Sequence, residues 1–214
     1  ADWKAKGDKP VFPGTGIKMR NVLDAGVITD PEQVTGLISF STIRPKTNLR
    51  TVGDFRDSLV ENIGYRVLNQ RLRTMVQEST ATFQAASADS GQTMVDHEIG
   101  GFNIQAKPEQ WAEALTQMLA EIKRLREFGV QEGELEHIKA IYRSSLERAA
   151  ETESTRPAQS IAMALNSAVT EDRTPMSAAQ RRDTPDAAVP RRPSSSRAIV
   201  FVRFVDASEE TDGY

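Results

Sequence analysis

Two histidines are the first candidates for chemistry in this chain of 214 residues, which has no cysteine. His97-Glu98 resembles the beginning of a His-Glu-x-x-His zinc helix, but Gly101 stands where the second histidine would have to be. A zinc site would therefore need the fold to bring His97, His137 and a carboxylate together. The simpler interpretation places His97 on the surface of a strand and His137 on a solvated helix.

Carboxylates are concentrated on one predicted helix, at Glu132, Glu134 and Glu136 near its start and at Glu147 further along. A catalytic pair would need a cleft that pushes the pKa values of two carboxyl groups apart. The helix dipole explains acidic residues at a helix start more simply. No serine has a His-Asp partner that can be recognised from the sequence. The sequence therefore predicts no catalytic, cofactor-binding or metal-ligating residue in this chain.

Basic side chains do not indicate a nucleic-acid site. The arginines that could form one are Arg71, Arg73, Arg181, Arg182, Arg191 and Arg192. The last four lie in a stretch without interleaved aromatic residues, which favours a solvated linker over a binding groove. The net charge of −3 also argues against a general nucleic-acid binder. No apolar run approaches the roughly 20 residues of a membrane span, so none is predicted.

Residues 108–150 predict a helix, a tight turn and a second helix, and this hairpin organises the rest of the chain. Gly129 is placed to end the first helix, and Glu132 and Glu134 to open the second. Apolar residues recur at helical spacing in both: Trp111, Leu115, Met118, Ile122 and Leu125, then Leu135, Ile138, Tyr142 and Leu146. Two apolar faces must be covered, and we expect an antiparallel sheet to cover them.

That sheet is predicted from runs of β-prone residues at 26–30, 36–43, 82–88 and 96–106. In the second run the Ile38/Phe40 face is the more apolar, so we expect it to face the helices. Residues 89–91 are expected to turn the chain between the last two strands. Gly100-Gly101 indicates a bulge or a bend in the last strand.

Two further helices complete the predicted order of elements. Residues 51–77 predict a long helix that opens with a capping box between Thr51 and Asp54. Another helical segment begins at Ala158, after a break at Arg156-Pro157. Strand pairs that alternate with helices favour an α+β fold, a two-layer sandwich in which a mainly antiparallel sheet packs on helices.

Composition divides the chain into three parts. Residues 1–24 have no sustained period and predict an irregular lead-in or linker, and residues 25–170 predict the folded domain. Residues 171–214 predict a flexible tail, because they cannot bury enough apolar surface to offset the entropy of ordering. Within it, residues 198–205 are abruptly apolar and could add a late strand. Because the chain begins at Ala1 without a methionine, we expect a processed chain or an excised piece.

Three stretches resemble the pitrilysin/insulinase family of zinc metallopeptidases, which includes the mitochondrial processing peptidases. They are residues 51–60 leading into Leu68-Asn-Gln-Arg-Leu72, then Phe83-Gln-Ala-Ala-Ser87, then residues 121–139. The third is the most specific, because it is similar to the helix-Gly-turn-helix of the family. Gln131 departs from the family's usual Thr or Ser at the helix cap, a change that costs about 1 kcal/mol. The resemblance covers residues 27–165, and none is visible from about Thr184 onward.

Enzymes of this family carry zinc on His-x-x-Glu-His with a downstream Glu, in the first domain of each active half. This chain has none of those residues, so it resembles the second, non-catalytic domain, which shares the processing-peptidase-like metallohydrolase fold. The resemblance implies an inactive chain without a cofactor, in a parent zinc metalloendopeptidase whose halves enclose a chamber. It also implies two partners, a catalytic domain that holds the zinc and a peptide substrate.

A non-proteolytic binding or scaffold module of the same fold is the alternative. A His-x-x-Glu-His motif elsewhere in the parent protein would decide between the two. If the domain is excised, the face that meets its partner domain would be an exposed apolar patch and would allow self-association. The substrate and the compartment do not follow from the sequence, and a bacterial periplasm and a cytoplasm both fit.

Overall fold

A three-stranded antiparallel sheet with helices on one side forms the centre of this protein. The computed structural model describes residues 14–17, 23–93 and 96–183. The strands in these residues are β1 (Gly36–Pro45), β2 (Ala85–Thr93) and β3 (His97–Ala106). The α-helices are α1 (Val52–Gln77), α2 (Trp111–Phe128), α3 (Glu132–Glu151), α4 (Ala158–Thr170) and α5 (Ala178–Asp183), and short 3-10 turns lie at Pro108–Gln110 and Glu153–Thr155.

The strand β3 lies in the middle of the sheet, between β1 and β2, and both pairings are antiparallel. Side chains alternate across β1 and β3, so that even-numbered residues point towards the helices. Phe40 of β1 and Phe102 of β3 are partners in this register, and their rings stack with 5.1 Å between centroids. The predicted α+β fold is confirmed, and so is the assignment of the Ile38/Phe40 face to the helix side.

The core lies between this face of the sheet and the helices α1, α2 and α3. The largest fully buried side chains come from α1, β3 and α2: Leu68, Leu72, Ile104, Met118 and Val67. The predicted capping box opens α1, because the N–H of Asp54 donates to Thr51 Oγ1 at 3.1 Å and the N–H of Thr51 donates to Asp54 Oδ2 at 2.8 Å. These bonds satisfy amide groups that the first turn of a helix otherwise leaves unpaired.

The helical hairpin forms as predicted, with Gly129 at a positive φ of 73° between α2 and α3. The predicted apolar face of α3 is buried or packed against the core, namely Leu135, Ile138, Tyr142 and Leu146. In α2 the prediction was wrong for Trp111, whose side chain is 55% exposed. The buried stripe of α2 runs from Ala114 through Met118, and Trp111 lies beyond its end in the first turn.

The strand predicted for residues 26–30 does not form. Residues 23–30 are irregular, and the side chains of Val27 and Ile28 are 90% and 99% exposed. β-branched residues favour a strand only where a neighbouring strand pairs with them and a packed face buries them. In the described part of the chain, no strand pairs with Val27 and Ile28 and no packed face buries them. The prediction relied on β propensity alone and was therefore wrong.

The turn predicted at residues 89–91 is also wrong, because β2 continues to Thr93. Asp89 pairs with Gly101 and Gln92 pairs with Ile99, so that two residues of β2 face the single Gly100 of β3. This is the bulge that the two glycines indicated, although the extra residue lies in β2. A Cβ on Gly100 would stand 2.7 Å from the carbonyl group of Ser90, so only glycine fits opposite the bulge.

Packed structure extends past residue 170, beyond the predicted end of the folded domain. Arg50 pairs with Asp172, and the N–H of Thr174 donates to the carbonyl of Leu49 at 3.0 Å. The helix α5 packs on α3, and Ala178 at its start is buried. Six residues are too few to show a helical period, which is why the sequence did not predict α5. The late strand predicted for residues 198–205 lies outside the described residues.

Arg71 of α1 ties this helix to the turn of the helical hairpin. Its Nε and one terminal nitrogen donate to the two oxygens of Glu134 at 2.6 Å and 2.7 Å. The guanidinium also donates to the carbonyl of Gly129 at 3.2 Å. Glu134 in turn accepts the N–H of Gln131 at 3.0 Å, which supports the helix start where a Thr or Ser cap is missing. The bond from Arg71 lowers the pKa of Glu134.

Replacing Gly101 tests how tightly β3 is held between its neighbours. Its φ is 156°, and an added Cβ would stand 1.9 Å from the carbonyl oxygen of Phe40. Gly101→Ala should therefore displace β1 and lower the free energy of unfolding by about 1–3 kcal/mol or more. Gly133→Ala is the matched control, because nothing lies within 4 Å of that position and Ala favours a helix. Urea unfolding measures both, and equal stability of the two variants would contradict this account.

Replacing Glu134 by Gln tests the tie between α1 and the hairpin. The variant should lose about 1–3 kcal/mol of stability at neutral pH, because Arg71 keeps a mostly buried charge without its partner. Since folding lowers the pKa of Glu134 from 4.5, the wild-type tie is complete above that pH and is lost as the pH falls through the folded pKa. Urea titrations between neutral and acidic pH should therefore converge for variant and wild type. Glu136→Gln, on the exposed side of α3, should change little at any pH.

Candidate functional site

The two histidines lie in different surroundings and do not form a common site. His97 opens β3, its side chain is largely buried, and its Nδ1 lies 2.7 Å from Oδ1 of Asp96. Thr15, from the predicted lead-in, donates its hydroxyl to the same oxygen at 2.7 Å and its N–H to Oδ2 at 2.9 Å. The bonds from Thr15 and then from His97 lower the pKa of Asp96 to about 2. His137 is exposed on α3, as expected.

No group of three or more His, Asp or Glu side chains in the described residues is arranged to hold a metal ion. The Asp96 carboxylate that His97 meets is engaged by Thr15, which makes this cluster a tie between the chain before β1 and the start of β3. That zinc is held by a separate catalytic domain stays a prediction.

The carboxylates singled out on α3 do not meet in a cleft. Glu134 belongs to the tie with Arg71, and Glu136 is exposed and accepts a hydrogen bond from Lys139 at 2.7 Å. This bond lowers the pKa of Glu136. Glu132 and Glu147 are exposed. In the described residues these carboxylates therefore have structural roles, and no two of them are placed to act on the same reacting atom.

A cluster that the sequence analysis missed lies where β1 ends beside α1. Arg44 donates from Nε to Glu98 at 2.8 Å and from a terminal nitrogen to Glu61 at 3.0 Å. Glu98 is buried and also accepts the N–H of Thr47 at 3.0 Å. Burial opposes the charge of Arg44, but the bonds to both glutamates outweigh it and raise the pKa of Arg44. The alternation of side chains along β1 could have revealed that Arg44 points inwards, since it shares the inner face with Phe40.

The cleft beside this cluster measures about 250 Å³. Arg44, Glu61 and Glu98 line it together with Arg173, whose Nε donates to Glu171 at 2.9 Å. Each of these charged side chains is paired with another one of the protein. The cleft lies between the end of β1, α1 and the segment after α4. Its chemistry is that of a structural ion-pair network rather than of a reactive centre.

The arginines named as candidates are spread over the molecule. Arg71 is part of the tie to the hairpin, Arg73 is exposed on α1, and Arg181 and Arg182 lie on α5. Arg191 and Arg192 lie outside the described residues. Among the helices of the described residues, none is long and apolar enough to cross a membrane.

The helix α4 presents an apolar surface to solvent. Residues 158–166 are exposed on every side, and the helix contains no charged residue. Met163 and Val169 are 64% and 74% exposed, and Ile161 and Leu165 are exposed as well. Its C-terminal end is anchored, because Ala168 is buried and its carbonyl accepts the N–H of Arg173 at 2.9 Å. Contiguous exposed apolar surface of this kind marks a site of interaction.

The second open feature is the outer edge of β1, which pairs with β3 on one side and with no described strand on the other. Edge strands are usually protected by bulges, by proline or by charged residues. The opposite edge strand, β2, has its bulge between Asp89 and Gln92. The ten residues of β1 pair without a register shift, and the first charge and the first proline come only at Arg44 and Pro45. This edge can accept another extended segment.

Comparisons with known proteins find similarity to one family of peptidases. Residues 54–142 match the model of the Peptidase M16 inactive domain. The stromal processing peptidase of Arabidopsis thaliana chloroplasts is 31% identical over 94 residues, which is 42% of this chain and 7% of that protein. The pea (Pisum sativum) protein of the same name is 30% identical over 105 residues, 47% of this chain and 8% of that protein. This chain thus spans less than a tenth of these relatives.

Solved structures share the fold at lower identity. The first half of the periplasmic protease PqqL from Escherichia coli superposes with a TM-score of 0.65 and 18% identity over 73% of this chain and 34% of that one. A predicted insulinase family protease from Yersinia pestis gives a TM-score of 0.60 and 12% identity over 72% of this chain and 33% of that one. The resemblance seen in the sequence is confirmed, because residues 54–142 match the inactive domain of the M16, or pitrilysin/insulinase, peptidases.

Proposed function

We propose that this domain is the non-catalytic part of a zinc-dependent peptidase, where it forms part of the wall of the substrate chamber and supports a separate catalytic domain. The match of residues 54–142 to the inactive domain carries this proposal. The absence of a metal-binding cluster from the described residues is compatible with it.

The surface of α4 supports a role in holding another domain. Nine consecutive exposed residues without a charge would be costly to leave in water, because each large apolar side chain gains about 1.5–3 kcal/mol from full burial. A helix of 13 residues is also marginal by itself in water. Packing of Ile161 and Leu165, which are four residues apart on one face of α4, against a catalytic domain would remove both costs.

The open edge of β1 supports contact with a peptide. An extended peptide that adds to a sheet edge gains main-chain hydrogen bonds, and alternate side-chain positions give specificity. Leu37 and Ile43 are exposed on the open face of β1, at its two ends, where they can contact alternate side chains of such a segment. A scaffold module without proteolysis would use the same edge, so the edge by itself does not separate the two functions.

A search of the parent gene separates the two functions. The peptidase proposal requires an intact His-x-x-Glu-His motif in the same protein or in a partner protein encoded beside it. A degraded motif in every candidate would favour the binding or scaffold module.

The purified chain should neither retain stoichiometric zinc nor cleave peptides by itself. Metal analysis after dialysis measures the first property, and mass spectrometry of a mixed peptide library measures the second. His97→Ala combined with His137→Ala serves as the control and should leave both results unchanged. One zinc per chain, lost in this double variant, would overturn the proposal.

The isolated chain should self-associate through α4, because no partner domain covers it. Ile161→Lys and Leu165→Lys should each weaken the association several-fold, since both residues lie on one face of α4 and burying a new charge at an apolar contact is unfavourable. Analytical ultracentrifugation across a concentration series measures this. Val27→Lys is the matched control, because Val27 is an exposed apolar residue outside the helix. Equal weakening by the control would show that the association does not involve α4.

A further inference from the structure

The outer edge of β1 and an apolar stretch near the end of the chain have complementary patterns. Among the described strands, β1 pairs only with β3, so its outer edge faces no other strand of that part of the protein. Residues 198–205 read Ala-Ile-Val-Phe-Val-Arg-Phe-Val, and β-branched and aromatic residues of this kind favour strands. Such a stretch promotes aggregation when it is exposed, and so does an unprotected edge. A contact between the two would remove both liabilities.

Alternation divides residues 198–205 into an apolar face and a mixed face. The residues of the apolar face are Ala198, Val200, Val202 and Phe204, whereas Arg203 lies on the other face. The strand β1 has a matching division, because its even-numbered residues point to the core and its odd-numbered residues to solvent. The apolar face therefore belongs on the core side and Arg203 on the solvent side. A slip by one residue would turn Arg203 inwards, so the pattern determines which face is buried.

The solvent-facing residues of β1 favour one register. Leu37 and Ile43, near its two ends, are 63% and 41% exposed, and the polar Ser39 lies between them. One antiparallel register gives each of the three a suitable neighbour, with the opposite pairs Leu37–Val205, Ser39–Arg203 and Ile43–Ile199. Matched side chains on directly opposite residues stabilise a sheet. A slip by two residues in either direction removes at least one of the apolar matches.

The path of the chain allows this pairing within one molecule. The N–H of Thr174 donates to the carbonyl of Leu49 at 3.0 Å, which holds the segment after α4 beside the loop that follows β1. This link keeps the end of α5 at Asp183 within roughly 45 Å of Pro45, the last residue of β1. The chain from there to Ala198 spans about 50 Å when it is extended. Residue 198 can therefore reach the Pro45 end of β1, and a strand that enters from this end runs antiparallel to β1.

We propose that residues 198–205 add to the outer edge of β1 as a further antiparallel strand of the same molecule. Because the edge and the segment are tethered, their effective concentration is on the order of millimolar, which favours a molecule's own segment over that of a second copy at about micromolar concentration. The pairing does not depend on the proposed peptidase function. Its consequence for that function is regulatory, since a peptide that uses this edge must first displace residues 198–205.

Disulfide trapping tests the pairing, because the chain has no native cysteine. Ser39→Cys combined with Arg203→Cys places two thiols on directly opposite residues, at a distance that a disulfide can bridge. Ser39→Cys combined with Val202→Cys is the matched control, since Val202 would point to the other side of the sheet. Under mild oxidation of the full chain at low concentration, the first variant should form an intramolecular disulfide several-fold faster than the control. Non-reducing mass spectrometry measures both rates.

Amide hydrogen exchange of the chain without added cysteines is an independent measure. Val202→Lys places a charge on the core side and should release the segment, so that amides on the outer edge of β1 exchange about tenfold faster than in the wild type. Arg203→Lys keeps a positive charge on the solvent side and should leave this exchange unchanged. Circular dichroism should show that both variants remain folded.

Three results would contradict the proposal. Equal rates of disulfide formation in the two cysteine variants would show that the segment has no fixed register on β1. Unchanged exchange at the β1 edge in Val202→Lys would show that the segment does not cover this edge. Disulfides that form only between two molecules would overturn the assignment to the same molecule.

Discussion

Removing one face of a small sheet from water is the constraint on which the rest of this structure depends. The central strand β3 places Phe102, Ile104 and Ala106 on that face, and all three are almost completely buried. Three strands cannot bury such a face by themselves, and α1 and α2 provide the cover. Gly100 and Gly101 allow β1 and β2 to approach β3 closely enough for the face to be continuous.

Arginines decide how the elements around this core are oriented, and their roles depend on what lies opposite. Arg44 meets Glu61 and Glu98 and joins the end of β1 to α1, while Arg71 meets Glu134 and joins α1 to the hairpin. Hydrogen-bond geometry, more than charge, makes these contacts specific, because a planar guanidinium fits two carboxylate oxygens.

Two surfaces of the described residues are available to other molecules. The apolar helix α4 and the unprotected edge of β1 are both costly to expose to water, for different reasons: one leaves apolar area uncovered, and the other leaves backbone groups unpaired. Each cost is relieved by a partner of a different kind, a packed surface for the helix and an extended chain for the edge. This division suits a domain that holds a neighbour and contacts a peptide.

The sequence by itself determined the elements whose signals are local: the capped helix α1, the hairpin α2–α3 with its glycine turn, and the inner face of β1. Local periodicity and capping chemistry suffice there, because the interacting residues are close in sequence. Only the tertiary structure decided the outcomes for Val27 and Ile28, for the bulge opposite Gly100 and for the short α5. It also placed Arg66 of α1 over the ring of Tyr142 of α3. Such outcomes depend on neighbours distant in the chain, which single-sequence patterns do not contain.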